Sequence, residues 1–336
     1  MPSARVSQPS HAAATDSPPP GVFLNDTNSS SAWVPGYLTL HRSGELRERA
    51  HQAALHLEDC HLCPRECGVN RRQGELGVCR MGPEAVLYKP KLHFGEEPPI
   101  SGTRGSGILF FSGCALGCAF CQNFPMSHWR LGHVMSPATL AGAMLFLQRS
   151  GAHNINLVTA THFLPRVLDA LDLAAGQGLS LPVVYNSSGY ESLETLHLLE
   201  GVVDVYLPDY KYADATLARR YSGAADYPEV CLEALREMLR QVGNLQVDQE
   251  GIARRGLLVR HLVLPGALEN TERVLAAIAR ELGPDTHVSL MSQYLPIWEA
   301  RRFPELMRRV SAEEYQQALA ALERHGLEHG WVQEWE

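Results

Sequence analysis

The chain has 336 residues, of which 45% are hydrophobic and 20% charged, and its formal net charge is −8 at pH 7. This length is enough for one large core or two smaller ones. The acidic balance argues against a nucleic-acid surface, and no apolar run approaches the roughly 18 residues that a membrane span needs. Residues 1–30 also lack the apolar core of a secretory signal. We therefore expect a cytoplasmic protein that binds neither nucleic acid nor a membrane.

The chain begins with a segment, residues 1–33, that is rich in Ala, Ser and Pro. It offers too little apolar surface to offset the entropy of ordering it, so we expect a disordered tail. A helix is predicted next, over residues 43–57, because apolar side chains recur there three or four positions apart. They are Leu46, Ala50, Ala54 and Leu57.

Seven of the eight cysteines fall into two groups, and only Cys231 stands alone. In a reducing compartment such grouping indicates metal binding and not disulfides. The first group places four thiols within residues 60–79, two of them as C-x2-C, which favours a closed tetrahedral site. Spacing leaves zinc and an iron-sulfur cluster both open as its occupant, and free thiols are a third interpretation. The four residues are Cys60, Cys63, Cys67 and Cys79.

Residues 81–104 are rich in Pro and Gly, which predicts a connector that places the four-cysteine segment against the rest of the chain. The connector contains the acidic pair Glu96 and Glu97. We expect this pair at the surface, although the lining of a pocket is the alternative.

Beyond Ser106, short apolar runs alternate with amphipathic segments. Continuous apolar strands that alternate with helices indicate a parallel sheet covered by helices, an α/β fold. The predicted strands are 108–112, 154–159, 181–185, 202–207, 257–264 and 287–291. The predicted helices are 137–149, 164–175, 192–199, 228–242, 269–282 and 312–325.

The second cysteine group follows the first of these strands directly, as Cys114, Cys118 and Cys121. Three thiolates on one short loop hold three corners of a [4Fe-4S] cube and leave the fourth iron open to another ligand. The alternative is a zinc site completed by His128 or His133. Structural zinc loops usually pair their ligands as C-x2-C, so the spacing C-x3-C-x2-C favours the cluster.

Polar residues follow the other predicted strands, at the edge where parallel α/β folds bind their ligands. Thr159 and Thr161 follow the second strand, and helix N-caps are the alternative role for them. The fourth strand ends before Asp209 and Lys211, an acid and a base that suit a zwitterionic ligand, unless they only pair with each other at the rim. Further candidates at these strand ends are Asn186, Ser188, Arg260, Gln293 and Tyr294.

The C-x3-C-x2-C loop, with Phe120 just before its last cysteine, resembles the signature of the radical SAM superfamily. The Asp209-x-Lys211 pair and residues 260–266 look like the activating-enzyme branch related to pyruvate formate-lyase activating enzyme. Within that branch the segments from Cys60 to about Pro296 are most similar to its PflX-type family.

This resemblance implies a partial (β/α)6 barrel of the TIM type and an oxidoreductase-like enzyme that cleaves S-adenosylmethionine (SAM) at a [4Fe-4S] cluster. The cleavage yields a 5′-deoxyadenosyl radical that abstracts hydrogen from a substrate. Many members hold the SAM amino group with a Gly-Gly-Glu segment after the second strand, where this chain has Thr159 to Thr161. An external one-electron donor, such as flavodoxin or ferredoxin, is implied as a partner. The residues expected to contact SAM are Phe120, Thr159, Asn186, Ser188, Asp209, Lys211 and Arg260.

The expected organisation is a tail (1–33), a helix with the four-cysteine module and connector (34–104), the partial barrel (105–295) and a helical segment (296–336). Residues 60–104 and 298–336 flank the barrel and are expected to cover its pocket, which would suit a small molecule or a short peptide as substrate. One alternative is an activating enzyme that acts on a glycine of a folded glycyl-radical enzyme. Another is a non-catalytic iron-sulfur or zinc scaffold. Zinc-dependent nucleic-acid binding is disfavoured by the acidic balance.

Overall fold

We describe the protein from a computed structural model, in which residues 33–335 are described. The predicted tail therefore lies outside the described residues, except for Trp33. The described residues from position 34 onward form one compact unit. Its strands are β1 (Ala85–His93), β2 (Ser106–Phe111), β3 (His133–Met135), β4 (Ile155–Val158), β5 (Val183–Ser187), β6 (Val205–Pro208), β7 (Gln246–Val247), β8 (Ala253–Leu262), β9 (His287–Met291) and β10 (Gly330–Val332).

Helices cover the sheet and connect its strands. No helix within residues 33–335 has the length and apolar character needed to cross a membrane. The helices are α1 (Gly36–Ser43), α2 (Glu45–Leu55), α3 (Pro98–Ser101), α4 (Phe124–Ser127), α5 (Pro137–Arg149), α6 (Leu164–Gly176), α7 (Leu193–Leu199), α8 (Ala215–Ser222), α9 (Tyr227–Val242), α10 (Leu268–Glu281) and α11 (Ala312–Arg324).

The main sheet is open and has the strand order β10-β9-β8-β6-β5-β4-β2-β1-β3. The six predicted strands correspond to β2, β4, β5, β6, β8 and β9, and each pairs in parallel with its neighbour. Helices lie between consecutive parallel strands, as crossover connections require. The expected α/β class with a partial parallel barrel is confirmed. Strand β10, which was not predicted from the sequence, adds a further parallel strand beside β9.

The helix predicted over residues 43–57 is present as α2, and it buries Leu46, Ala50 and Ala53 on one face. The contact surface of α2 faces α6, the helix that follows β4. Four helices were not predicted: α1, α8 and the two four-residue helices α3 and α4. The exposed Arg219 and Arg220 in α8 weaken its apolar pattern, so its three buried residues were too few to indicate a helix.

The predicted connector contains two regular elements that were not predicted, β1 and α3. Strand β1 pairs antiparallel with both β2 and β3, and its register with β2 shifts between Leu87 and Pro90. A proline inside a strand removes a backbone donor and is tolerated at such an irregularity. Because it contains Pro90, this strand of nine residues was not predicted.

Helix α3 closes the amino-terminal end of the partial barrel. Ile100 is fully buried in a cluster with residues of β5, β6 and β8, including Val184, Leu207 and Leu258. Its carbonyl oxygen accepts a hydrogen bond of 2.8 Å from Asn154 Nδ2, just before β4 begins. This part of the connector therefore lies opposite the carboxyl ends of the strands and does not cover them, contrary to our expectation.

Candidate active site

The carboxyl ends of the parallel strands surround a cavity of about 190 Å³. Every residue that the sequence analysis assigned to the three-cysteine cluster or to SAM lines this cavity. Gln293 lines it as well, whereas Tyr294 is buried behind it and donates a hydrogen bond of 2.8 Å to the Leu306 carbonyl. The predicted residues at the cavity are Cys114, Cys118, Phe120, Cys121, Thr159, Asn186, Ser188, Asp209, Lys211 and Arg260.

Each sulfur of the three-cysteine loop has a hydrogen-bonding partner. The amide of Leu116 donates to Cys114 Sγ at 3.3 Å, and the Ser222 hydroxyl donates to Cys118 Sγ at 3.1 Å. The hydroxyl of Ser127 lies 3.1 Å from Cys121 Sγ. Hydrogen bonds of this kind favour the thiolate form and fix the orientation of a metal ligand.

Burial opposes ionisation of these same thiols. It raises the pKa of Cys118 to about 11, although the Lys211 ammonium counteracts this in part. Burial also raises the pKa values of Cys114 and Cys121, and the other thiols of the loop add to the rise at Cys114. Three buried thiolates therefore require a positively charged group among them, which iron of a cluster supplies.

The donor set fits a [4Fe-4S] cluster better than a single zinc ion. No three His, Cys, Asp or Glu side chains within residues 33–335 are arranged to hold one metal ion, but the cluster distributes its thiolates over separate iron atoms. Neither histidine of the zinc alternative completes the set. His128 Nε2 lies 3.3 Å from the Cys118 carbonyl oxygen and its ring stacks on Trp298, while His133 is exposed on β3.

Opposite the loop, the cavity is lined by a buried network of charges. Asp209 follows β6 and forms ion pairs with both Lys211 and Arg260, with Arg260 Nε at 2.8 Å from its Oδ1. Arg260 Nη2 also donates to Asn186 Oδ1 at 2.6 Å. All three charged side chains are less than one-fifth exposed. Asp209 and Lys211 do pair with each other, but the pair is buried and not at an exposed rim.

The network holds these groups in their charged forms. Burial alone would raise the pKa of Asp209, but Arg260 and Lys211 together hold it below its ordinary value. Burial alone would lower the pKa of Lys211, but Asp209 and the Cys118 thiol raise it above its ordinary value. The cavity therefore presents fixed positive and negative charges together with the three thiols.

Glu96 is a further member of the network, so the expectation that it lies at the surface is wrong. Its Oε2 lies 3.2 Å from Arg260 Nη1, and its Oε1 accepts hydrogen bonds from Asn156 at 3.2 Å and Asn186 at 3.3 Å. Burial raises the pKa of Glu96, and Arg260 offsets part of that effect. The signal in the sequence was Arg260 itself, because a buried guanidinium needs more than one acceptor.

Thr159 lines the cavity in an unusual backbone conformation, with φ of 59°. A β-branched residue in the left-handed region is strained, and such strain is held where the surrounding structure fixes it. Here the amide of Thr159 donates to the Asn186 carbonyl at 2.9 Å. Thr161 faces away from the cavity and donates to the buried Glu191 at 2.9 Å.

The four cysteines of the first group lie near one another outside this cavity. Burial raises the pKa of Cys63 to about 12, and Cys79 and Cys60 contribute to the rise. Burial likewise raises the pKa of Cys79, and Cys60 and Cys67 contribute. Backbone amides of Arg65 and Met81 donate to Cys63 and Cys79, and the Val78 amide lies 3.4 Å from Cys67 Sγ.

Arg71 provides a positive charge beside this group. Its guanidinium is 1% exposed and donates to the carbonyl oxygens of Met81, His162 and Gly82. It forms no ion pair with a carboxylate in the described part of the chain, and it lowers the pKa of Cys79. A buried cation without a carboxylate suits an anionic four-thiolate metal site. Binding of a single ion requires the thiols to draw closer together than they are here.

No protein-family model matches the chain. Among solved structures, the chain is similar to Streptococcus suis SuiB, with a TM-score of 0.46 and 11% identity over 66% of this chain and 47% of SuiB. It is also similar to a domain of pyruvate-formate lyase-activating enzyme from Bacteroides vulgatus (TM-score 0.35, 14% identity, 65% of this chain and 99% of that domain). A spore photoproduct lyase mutant has a TM-score of 0.44 and 13% identity over 73% of this chain and 79% of that protein.

A curated relative is more informative about family. Over 279 residues, which are 81% of this chain and 76% of the relative, the chain is 31% identical to the uncharacterized protein MJ0674 of Methanocaldococcus jannaschii. Identity at this level over most of both chains establishes common family membership. The chain therefore belongs to the family of the Methanocaldococcus jannaschii protein MJ0674.

Proposed function

We propose that this protein is a radical SAM enzyme. The observation that carries the proposal is the arrangement of the cavity, in which three hydrogen-bonded cysteines face a buried network of fixed charges. When bound, a reduced [4Fe-4S] cluster supplies the electron that cleaves SAM to methionine and a 5′-deoxyadenosyl radical, which abstracts hydrogen from the substrate. Membership of the activating-enzyme branch and of its PflX-type family is part of this proposal.

In this proposal Cys114, Cys118 and Cys121 ligate three irons of the cluster. Their hydrogen-bond donors keep the thiolates in place, and Phe120 shields them, because its ring packs between Tyr212, Tyr221 and Tyr294 and is 5% exposed. Exclusion of water around the loop strengthens every electrostatic interaction within it.

The charged network binds the methionyl part of SAM. A zwitterion carries an ammonium and a carboxylate, and the cavity offers Asp209 for the former and Lys211 and Arg260 for the latter. The ion pairs among these residues keep all of them charged before SAM arrives, so little reorganisation is needed on binding. Asn186 and Ser188 line the cavity with groups that hydrogen-bond a ribose or a carboxylate, and Thr159 completes the edge at β4.

The four cysteines hold a second metal in this proposal, as zinc or as an iron-sulfur cluster. A one-electron donor of the flavodoxin or ferredoxin type supplies the electron for each cleavage. The substrate that loses hydrogen is a small molecule or a peptide.

The test is anaerobic incubation of reconstituted protein with SAM and dithionite, with 5′-deoxyadenosine measured by chromatography. We expect 5′-deoxyadenosine and methionine in equal amounts from the wild type. The control is the variant with Cys114, Cys118 and Cys121 all changed to Ala, which should form neither product. Formation of 5′-deoxyadenosine by that variant, or its absence from wild-type protein with a full cluster, contradicts the proposal.

A further inference from the structure

The four-cysteine module, which we define as residues 60–81, is bound to the three-cysteine loop through Arg65. Arg65 lies between Cys63 and Cys67 in the sequence. Its Nε donates to the Ala115 carbonyl at 2.9 Å, its Nη1 to the Gly223 carbonyl at 2.7 Å, and its Nη2 to the Ser222 carbonyl at 3.3 Å. The guanidinium also lies 5.2 Å from the ring centre of Tyr190. The side chain of Arg65, which belongs to the four-cysteine module, is thus anchored at the three-cysteine loop.

The positions of these carbonyl groups make the contact consequential. Ala115 directly follows Cys114, so the hydrogen bond from Arg65 fixes the backbone of the loop between two of its thiols. Ser222 is the residue whose hydroxyl donates to Cys118 Sγ. That hydroxyl also lies 2.8 Å from the Tyr212 hydroxyl, which leaves it a defined orientation. Arg65 therefore restrains both the loop and the hydrogen-bond donor of one of its sulfurs.

The other end of the module touches the loop independently. Gly113, just before Cys114, has φ of 82° and lies against Met81 and the carbonyl group of Cys79. A Cβ atom on Gly113 would come within 2.9 Å of Met81 Sδ and 3.1 Å of the Cys79 carbonyl oxygen. The module therefore contacts the loop on both sides of Cys114, through Arg65 and through Cys79 to Met81.

We infer that Arg65 is a positioning residue for the three-cysteine loop, and that metal binding at the four cysteines controls the cluster on that loop. A metal ion or cluster held by Cys60, Cys63, Cys67 and Cys79 fixes the backbone on both sides of Arg65 and next to Met81. Without metal these segments lose the restraint, and the three-cysteine loop loses two of its supports. The metal at each of the two sites rests on the proposed function, whereas the coupling between them does not depend on SAM cleavage.

The experiment compares Arg65→Met and Arg65→Lys with a control in the same module, Arg72→Met. The Arg72 side chain is about half exposed and lies 3.4 Å from Glu58, away from the loop. For each protein, the metal at the four cysteines, the rate of iron release from the loop to a chelator and the change of the electron paramagnetic resonance spectrum on addition of SAM are measured. The variant with the three loop cysteines changed to Ala gives the baseline of the other site.

We expect Arg65→Met to retain the metal at the four cysteines but to release iron from the loop about tenfold faster, the factor that one lost hydrogen bond of a charged group represents. The spectral change on SAM addition should also be altered. Arg65→Lys should restore part of both properties, and Arg72→Met should match the wild type. Wild-type iron release and a wild-type spectrum in Arg65→Met would overturn the inference.

A second variant keeps the test decisive if Arg65→Met loses its metal or fails to fold. Cys63→Ser alters the first site without touching any residue of the loop. We expect faster iron release from the loop in proportion to the metal lost at the four cysteines, and unchanged release contradicts the coupling. Iron release does not depend on SAM cleavage. An absence of 5′-deoxyadenosine would therefore overturn the proposed function while the iron measurements still decide the coupling.

Discussion

The two cysteine groups of this protein show how similar ligands are placed in different surroundings. The three-cysteine loop lines the cavity at the carboxyl ends of the strands, whereas none of the four cysteines of the module is among the cavity-lining residues. The loop faces charged side chains that a ligand is able to reach, and the module faces backbone amides and the buried Arg71. These surroundings are the basis of our proposal that the loop is an open reactive site and the module a closed one.

The electrostatics differ in the same way. Burial raises thiol pKa values in both groups, so both need positive charge to hold thiolates. At the loop Lys211 lowers the pKa of all three thiols, but it is paired with Asp209 and therefore contributes little net charge. At the module Arg71 has no carboxylate partner in the described residues. Its positive charge is therefore available to stabilise thiolates, as its effect on the pKa of Cys79 shows. The unpaired charge of Arg71 suits a metal that stays bound at the module. The neutral Asp209–Lys211 pair suits a ligand that binds at the cavity and is released.

We expect the largest effect from removal of the three loop cysteines, which should abolish activity at one cysteine group and spare the other. Changing Cys114, Cys118 and Cys121 to Ala should abolish 5′-deoxyadenosine formation and leave the metal of the module in place, because none of the four other cysteines lies in the cavity. Metal analysis of this variant also identifies the metal at the module. About one zinc per chain indicates a structural zinc site, and iron with sulfide indicates a second cluster. Loss of all metal would show that the two groups are not separate sites.

The parallel strands and the residues of the cavity could be predicted from the sequence. The apolar runs of β2, β4, β5, β6, β8 and β9 are continuous because both faces of a parallel sheet are buried, so all six strands were predicted. The residues at the carboxyl ends of the strands follow from chain order alone, which is why the predicted site residues meet in one cavity.

The contacts that the module and the connector make with the barrel could not be predicted in the same way. Glu96 reaches Arg260, a separation of 164 residues, and Arg65 reaches Gly223, a separation of 158 residues. Periodicity and spacing report only local structure, so they identify a charged residue without its distant partner. For the same reason β1 was not predicted, because its pairing with β2, which tolerates Pro90 at a register shift, is not visible in the local sequence.

The second largest effect tests the closed site. Cys63→Ser should weaken metal binding at the module strongly and lower the melting temperature by several degrees, because a bound metal contributes its binding free energy to folding. The matched control is Cys231→Ser, which changes the one cysteine outside both groups. Metal content and thermal unfolding are measured together. Unchanged metal content in Cys63→Ser would exclude Cys63 as a ligand.

A third change tests the balanced network at the cavity. Asp209→Asn leaves Arg260 and Lys211 without their shared carboxylate, and breaking a buried ion pair in this way costs about 3 to 5 kcal/mol of stability. SAM affinity should fall roughly ten- to a hundredfold in Asp209→Asn and in Lys211→Met, because each loses a charge-assisted hydrogen bond. Iron content should stay constant, since neither residue is a thiol ligand.

The control for this network is Glu299→Gln, which removes the exposed partner of Arg302, 2.6 Å away. Exposed pairs contribute little, so both stability and SAM affinity should stay at the wild-type level. Titration calorimetry with SAM measures the affinities, and urea unfolding measures the stabilities. SAM affinities equal to the wild type in both cavity variants would assign the Asp209–Lys211 pair a structural role only.

The smallest effect concerns Glu191, a buried carboxyl beside the closed site that raises the pKa of Cys63. Burial raises the pKa of Glu191 to about 7, although hydrogen bonds from Thr161, Ser187 and Tyr185 counteract the rise. In the unfolded chain the same carboxyl titrates near its ordinary value of 4.5. Between these values the folded protein holds a proton that the unfolded chain has released. The free energy of unfolding therefore falls as the pH rises through this window.

Glu191→Gln should remove this contribution and flatten the pH dependence of unfolding by urea between pH 5 and 7.5, by up to about 3 kcal/mol. Part of the slope should remain, because burial also raises the pKa of Asp204 to about 7. The variant should gain relative to the wild type at pH 7.5 and not at pH 5, since only the ionised carboxylate is unfavourable in the interior. A parallel pH dependence in both proteins would show that Glu191 keeps its charge when buried, and the closed site would then contain an anion that Arg71 must balance together with the thiols.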